Sequence, residues 1–120
     1  MENKTKILKA IFFRTANGAE PVREQILDLL PDERKIVGTD IMAVEFGWPV
    51  GLPVCRPMSG GLFEVRSNIN KRIFRVLFSI DSPDMILLHA FIKKTQKTPP
   101  QDLKLAKDRW KMYQEMKKGY

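Results

Sequence analysis

Apolar positions along this chain repeat with two periods, close to 3.6 in some segments and close to 2 in others, and the changes of period outline its elements. Lys6 to Phe13 (KILKAIFF) is a short, largely apolar run ending before the turn-forming pair Asn17-Gly18, and it predicts a first strand. Pro21 then opens a short helix on which Val22, Ile26 and Leu29 share one face. Pro31 opens a second: Asp32 and Glu33 in its first turn suit the helix dipole, Val37, Ile41 and Val44 repeat the spacing, and Gly47 supplies a stop. The stretch from Trp48 to Gly61 (WPVGLPVCRPMSGG) is too dense in proline and glycine for a helix or a central strand and predicts a loop. Three strand candidates follow, Leu62 to Arg66, Arg72 to Ile80 and Met85 to Ile92, with connections short enough to favour antiparallel neighbours. After Pro99-Pro100 the helical spacing returns, placing Leu103, Ala106, Trp110 and Tyr113 on one stripe and Lys104, Lys107, Lys111 and Lys118 largely off it. The order implies an α+β sandwich with one sheet face covered by helices, the last helix present for packing.

Length and composition narrow the class. The 120 residues suit a single domain, and 43% hydrophobic with 29% charged residues is ordinary for a globular protein. No apolar run approaches the ~20 residues of a bilayer crossing, and the polar start from Met1 to Lys9 does not read as a signal peptide. The expected compartment is the cytoplasm. The single cysteine, Cys55, can form no internal disulfide, and with one histidine the chain offers no zinc ligand set, so no metal or other cofactor is expected. The net charge of +7 is uneven: the first sixty residues balance 8 basic against 8 acidic side chains, and the last sixty carry 13 against 6. Positive charge so placed suits a polyanion: nucleic acid, an acidic protein segment or an anionic membrane surface.

Strand parity sorts the candidate chemistry. Phe63 and Val65 point one way and leave Glu64 and Arg66 on the other; Phe74, Val76, Phe78 and Ile80 oppose Arg75; strict alternation groups Ile86, Leu88, Ala90 and Ile92 against Met85, Leu87, His89, Phe91 and Lys93. Glu64, Arg66, Arg75, His89, Phe91 and Lys93 therefore fall on one open face, with Arg56 overhanging from the loop and Lys94 and Lys97 within reach of the strand's end. Cations beside an aromatic ring and an imidazole suit RNA, holding phosphates, stacking an unpaired base and moving a proton. Plainer roles fit the same residues: the arginines as cross-strand partners of acidic residues such as Glu64, His89 and Phe91 as core, and Lys93 to Lys97 as a solvated loop. Charge and parity reach a basic, RNA-facing α+β domain and leave those alternatives open.

The segments GGLFEVR (Gly60 to Arg66), RIFRVLFSID (Arg72 to Asp81) and above all ILLHAFIKKTQKTP (Ile86 to Pro99) resemble the HigB-like, phage-derived branch of the RelE superfamily of bacterial type II toxins, with Ala90 at the usual glycine. The resemblance implies a RelE-like fold: a small antiparallel sheet, two N-terminal helices on one face and a C-terminal helix. It implies an endoribonuclease that cleaves messenger RNA on the ribosome, using basic side chains rather than a metal. Carried over residue by residue, Arg66 and Arg75 match phosphate or transition-state contacts, Lys93 and Lys94 the basic pair after the last strand and Arg56 a basic position, all expected in catalysis or RNA binding, with His89 for proton transfer; Glu64, Phe91 and Lys97 join the RNA-binding face by parity and reach. The resemblance also implies an antitoxin with a helix-turn-helix domain, through which alone the toxin would meet operator DNA. The superfamily includes gyrase poisons on the same scaffold, and a non-catalytic RNA-binding module is a further alternative.

Overall fold

A computed structural model describes residues 5–49, 55–93 and 98–119. Its elements are β1 (Lys9–Phe12), α1 (Pro21–Leu27), α2 (Pro31–Gly47), β2 (Cys55–Pro57), β3 (Phe63–Ile69), β4 (Arg72–Asp81), β5 (Asp84–Lys93) and α3 (Pro100–Lys117), with a single 3-10 turn at Ser59–Gly61. The strands form one sheet ordered β1-β5-β4-β3-β2.

Both N-terminal helices start at their prolines, where the missing N–H is no loss. Glu33 strengthens the start of α2, its Oε1 accepting the Leu30 N–H at 3.0 Å. Its Oε2 accepts from Asn70 at 2.8 Å and from Arg72 at 2.7 Å, which ties the helix to the β3–β4 turn. In that turn Asn70 and Lys71 both take positive φ, 42° and 67°, as a two-residue hairpin of primed type requires. The hairpin is tighter than the sequence suggested, because β3 continues past Arg66 to bury Ser67 and Ile69.

Val22, Leu29, Val37, Ile41 and Val44 are buried as the helical spacing predicts, against Val65, Ile69, Phe74, Val76, Phe78, Met85, Leu87 and Ala90 of the sheet. Trp48 closes the end of this layer, edge-on to Phe63 at 4.8 Å and to Phe78 at 5.9 Å. The opposite face is not bare. Helix α3 lies across it, and Leu103, Ala106, Trp110 and Tyr113 pack with Phe13, Leu62, Leu77, Ile86, Leu88 and Phe91.

Three expectations need correction. The loop from Trp48 to Gly61 contains a short edge strand, β2, pairing antiparallel with β3; proline is tolerated there because an edge strand can leave one side of its backbone unpaired. Strand β1 is shorter than Lys6 to Phe13, since Ile7 and Leu8 donate to the Glu45 carbonyl instead of to a strand, and it runs parallel to β5. No hairpin joins those two strands, so short connections do not set their direction. Third, β5 is bulged: Leu77 pairs with His89 and Phe78 with Leu87, leaving Leu88 as the extra residue. Ile86 and Leu88 therefore share the α3 face with His89 and Phe91, while Met85 and Leu87 turn to the α1–α2 layer with Ala90.

The end of α3 is pinned to the β4–β5 turn. Tyr113 donates from its hydroxyl to Asp81 at 2.6 Å, and Lys117 donates to the same carboxylate. Lys117 and Tyr113 together hold the Asp81 carboxyl below its ordinary value of 3.8, while burial and Asp81 push the Tyr113 phenol up. A carboxyl whose pKa is depressed by folding contributes stability above its unfolded pKa, and that contribution is lost as pH falls through the folded value. Asp81→Asn is therefore expected to lower the melting temperature at pH 7 and to flatten the acid limb below about pH 4; melting temperatures that still converge on wild type only at acid pH would support the latch, and a constant offset down to pH 2 would remove it.

Candidate active site on the sheet face under α3

Two cross-strand rows make up the site. In one, Arg56 of β2, Glu64 of β3, Leu77 of β4 and His89 of β5 stand side by side; in the next, Arg66, Arg75 and Phe91 do. Directly paired residues share a face, so parity brought the right residues together on these strands. What it missed is depth.

Arg75 was expected on an open surface and is instead fully buried, as is Glu64. Arg75 Nη1 lies 2.7 Å from Glu64 Oε1. Glu64 also forms an ion pair with Arg56, whose Nε lies 3.3 Å from Oε1, and through Oε2 accepts from the Thr98 hydroxyl at 2.9 Å. A buried carboxylate is tolerable when cations and donors surround it, and this one gathers partners from β2, β4 and the segment leading into α3. In this arrangement Glu64 and Arg75 shape the surface from beneath. The same burial, with the Glu64 charge beside it, raises the Cys55 thiol to about 11; iodoacetamide is accordingly expected to spare the native chain at pH 8 and label it once unfolded, and native labelling at the unfolded rate would contradict the packing around β2.

Arg66 is half-buried, and its Nε is buried with no hydrogen-bond partner among the described residues. Arg56 keeps 29% of its side chain exposed. His89 and Phe91 stack, ring centroids 5.5 Å apart and planes 21° from parallel. Lys93 ends β5 in register with Ile73; its side chain, like the whole of Lys94 and Lys97, lies outside the described residues.

Two residues of α3 belong to the site and were not singled out by the sequence. Asp102 Oδ1 is 2.7 Å from His89 Nε2. Arg109 donates from Nη1 to the Leu88 carbonyl at 2.9 Å and lies 3.4 Å from His89 Nδ1. Burial draws the Arg109 pKa down from its ordinary value, though guanidinium remains a cation at neutral pH. Asp102 and Arg109 are seven apart, two turns on one side of a helix, which is the signal that could have found them. The helix thus brings polar groups to this face alongside the packing stripe expected of it. Among the described residues no three of His, Cys, Asp and Glu cluster to hold a metal ion, and no helix is long and apolar enough to cross a membrane. A groove of about 600 Å³ lies apart from this site, between β1 and the end of α3, and is lined mainly by apolar side chains including Phe13, Tyr113 and Met116.

Residues 24–111 match the family described as "Phage derived protein Gp49-like (DUF891)". The chain belongs to the Gp49-like family. Two relatives, from two strains of Mycobacterium tuberculosis, are each 30% identical over 102 residues, covering 85% of this chain and 82% of theirs. Both are named "Probable endoribonuclease HigB1". The likeness of this Gp49-like chain to the HigB-like branch of the RelE superfamily, and its α+β fold, stand with these matches. The match spans α2 through most of α3, and so includes every residue of the two rows together with Asp102 and Arg109.

Proposed function

We propose that this chain is the toxin of a type II toxin–antitoxin pair, a cytoplasmic endoribonuclease that cleaves messenger RNA on the ribosome without a metal and is restrained by a helix-turn-helix antitoxin. The observation that carries the reading is one sheet face that holds His89 and Phe91 on β5 and, farther along the same two rows, Arg56 and Arg66, with Arg109 of α3 reaching His89. Kinship with the HigB1 proteins supports it.

On this reading Arg66, Arg56, Lys93, Lys94 and Lys97 hold the phosphodiester backbone, and Phe91 offers a stacking edge to an unpaired base. His89 moves the proton, and guanidinium groups offset the charge that grows on the phosphorus oxygens. Glu64 and Arg75 are positioning residues, the carboxylate holding Arg56 and the Thr98 end of the basic segment in place. Operator DNA is reached only through the antitoxin.

Expression of the chain alone, with 5′ ends of transcripts mapped, tests the proposal. Cuts within translated messages that vanish when translation is blocked are the expected result; supercoiling defects with intact messages would point to a gyrase poison, and binding without new ends to a non-catalytic module. Ribosome affinity should also fall with salt, by about 0.7 log units per log unit of salt for each single-strand phosphate contact. Affinity independent of salt would remove the electrostatic part.

A further inference from the structure

The contacts of His89 fix more than its position. A guanidinium can only donate, so the ring nitrogen facing Arg109, Nδ1, is an acceptor and carries no proton. The neutral ring then has its proton on Nε2, donated to Asp102 at 2.7 Å. Nε2 is engaged by Asp102, whereas among the described residues Nδ1 has only the 3.4 Å approach of Arg109, whose shorter bond, 2.9 Å, goes to the Leu88 carbonyl. The bulge builds this: it presents the Leu88 carbonyl and the His89 ring to the same side of α3. His89 keeps 13% of its side chain exposed and Asp102 19%, so the pair sits at the margin of the packed layer.

We propose, building on the RNA-cleavage reading, that Nδ1 of His89 is the atom that takes the 2′-hydroxyl proton, that Asp102 is the positioning residue holding the ring through Nε2, and that Arg109 is a catalytic residue contacting the scissile phosphate. The 2′-hydroxyl gives its proton to Nδ1 as its oxygen bonds to phosphorus. The bond from phosphorus to the 5′-oxygen breaks with its electron pair on that oxygen, which takes a proton from water. The products are a 2′,3′-cyclic phosphate and a 5′-hydroxyl, and the imidazolium returns its proton to the hydroxide left in solvent. Nδ1 has one lone pair, so the Arg109 guanidinium leaves it as the 2′-hydroxyl arrives, and turns toward the phosphate, where negative charge builds.

The test pairs spectroscopy with a mutant cycle on full-length chain. Long-range ¹H–¹⁵N correlation of the imidazole at high pH should show the proton on Nε2 in wild type, with a mixed population in Asp102→Asn; a proton on Nδ1 in wild type would overturn the proposal. In ribosome-programmed message cleavage, His89→Ala should lower kcat by about 100-fold or more, and Asp102→Asn, nearly isosteric, by about 10-fold or more. Because Asp102 acts through His89, adding Asp102→Asn to His89→Ala should bring no further loss; additive losses would refute the coupling. Arg109→Gln keeps a donor for the Leu88 carbonyl and loses the charge, and should lower kcat about 100-fold with little change in KM. If that variant melts below the assay temperature, Arg109→Lys, which retains charge, should recover part of the rate, and a wild-type rate from a folded Arg109→Gln would overturn the role of Arg109. Message left intact by wild type would remove the cleavage reading and the catalytic half of this inference together; an active wild type with unaffected variants would remove this inference alone.

Discussion

Replacing Arg75 by alanine is expected to destabilise the protein by about 3 kcal/mol or more, rather than to leave a folded and merely inactive chain. As an exposed charge on an open face, Arg75 would be dispensable for folding. The geometry reverses this: its guanidinium and the Glu64 carboxylate are both fully buried, 2.7 Å apart, between β3 and β4. Removing one partner leaves the other's charge in a medium that solvates it poorly, which is costlier than never having buried the pair. Arg56 and Thr98 still reach Glu64, which places the loss toward the lower end of the range for broken buried pairs. A large fraction of a total of about 5–15 kcal/mol would be gone. The informative companion is the double variant Arg75→Met, Glu64→Leu, which removes both charges while roughly keeping volume. Urea unfolding should find the double variant markedly more stable than Arg75→Ala. If Arg75→Ala unfolds at the same midpoint as wild type, the pair is not the buried link described here.

Some parts of the site follow local rules that a sequence can carry, and others do not. Helix starts were legible because proline at a first helical position is a local rule, needing no knowledge of the rest of the fold. The pair Arg66–Arg75 was legible because Glu64 and Arg66 alternate with Phe63 and Val65 on β3, and Phe74, Val76 and Phe78 set the phase of β4; Arg56 reads as part of a loop, so its place in a row with Glu64 was not. Strand β5 reads DMILLHAFIK, where an almost unbroken apolar run gives no such marker; strict alternation therefore missed the slip at Leu88 and put Ile86 and Leu88 on the wrong side. Depth was illegible for a different reason. A charged residue reads as surface unless its partner is known, and the partner of Arg75 is eleven residues away on the neighbouring strand. Asp102 and Arg109 share one side of α3 at a spacing of seven, but Lys104 and Lys111 have the same spacing, so that signal marks a shared side without telling which side faces β5.

Removing residues 102–120 is expected to unfold the chain. Helix α3 is the cover for Phe13, Leu62, Leu77, Ile86 and Leu88, all at most 2% exposed, and it contributes Leu103, Ala106, Trp110 and Tyr113 to the same layer. Each large apolar side chain returned to water forfeits roughly 1.5–3 kcal/mol, so exposing even four of them rivals the ~5–15 kcal/mol that holds such a domain together. The Asp81 latch at one end of the helix and the Asp102–His89 contact at the other are lost as well. Deletion alone cannot separate support from chemistry, because in the proposed mechanism the helix does both. Point variants can. Trp110→Ala removes a partly buried ring that packs against the layer and stacks with Tyr113 at 5.5 Å, and should cost on the order of 2–3 kcal/mol while leaving the turnover of the folded fraction near wild type. Arg109→Gln, one residue away on the same helix, should do the reverse: a small change in melting temperature and a large loss of rate. Measuring both quantities for both variants decides between the two contributions, and a Trp110→Ala chain that melts like wild type yet fails to cleave would show that α3 serves the reaction rather than the core.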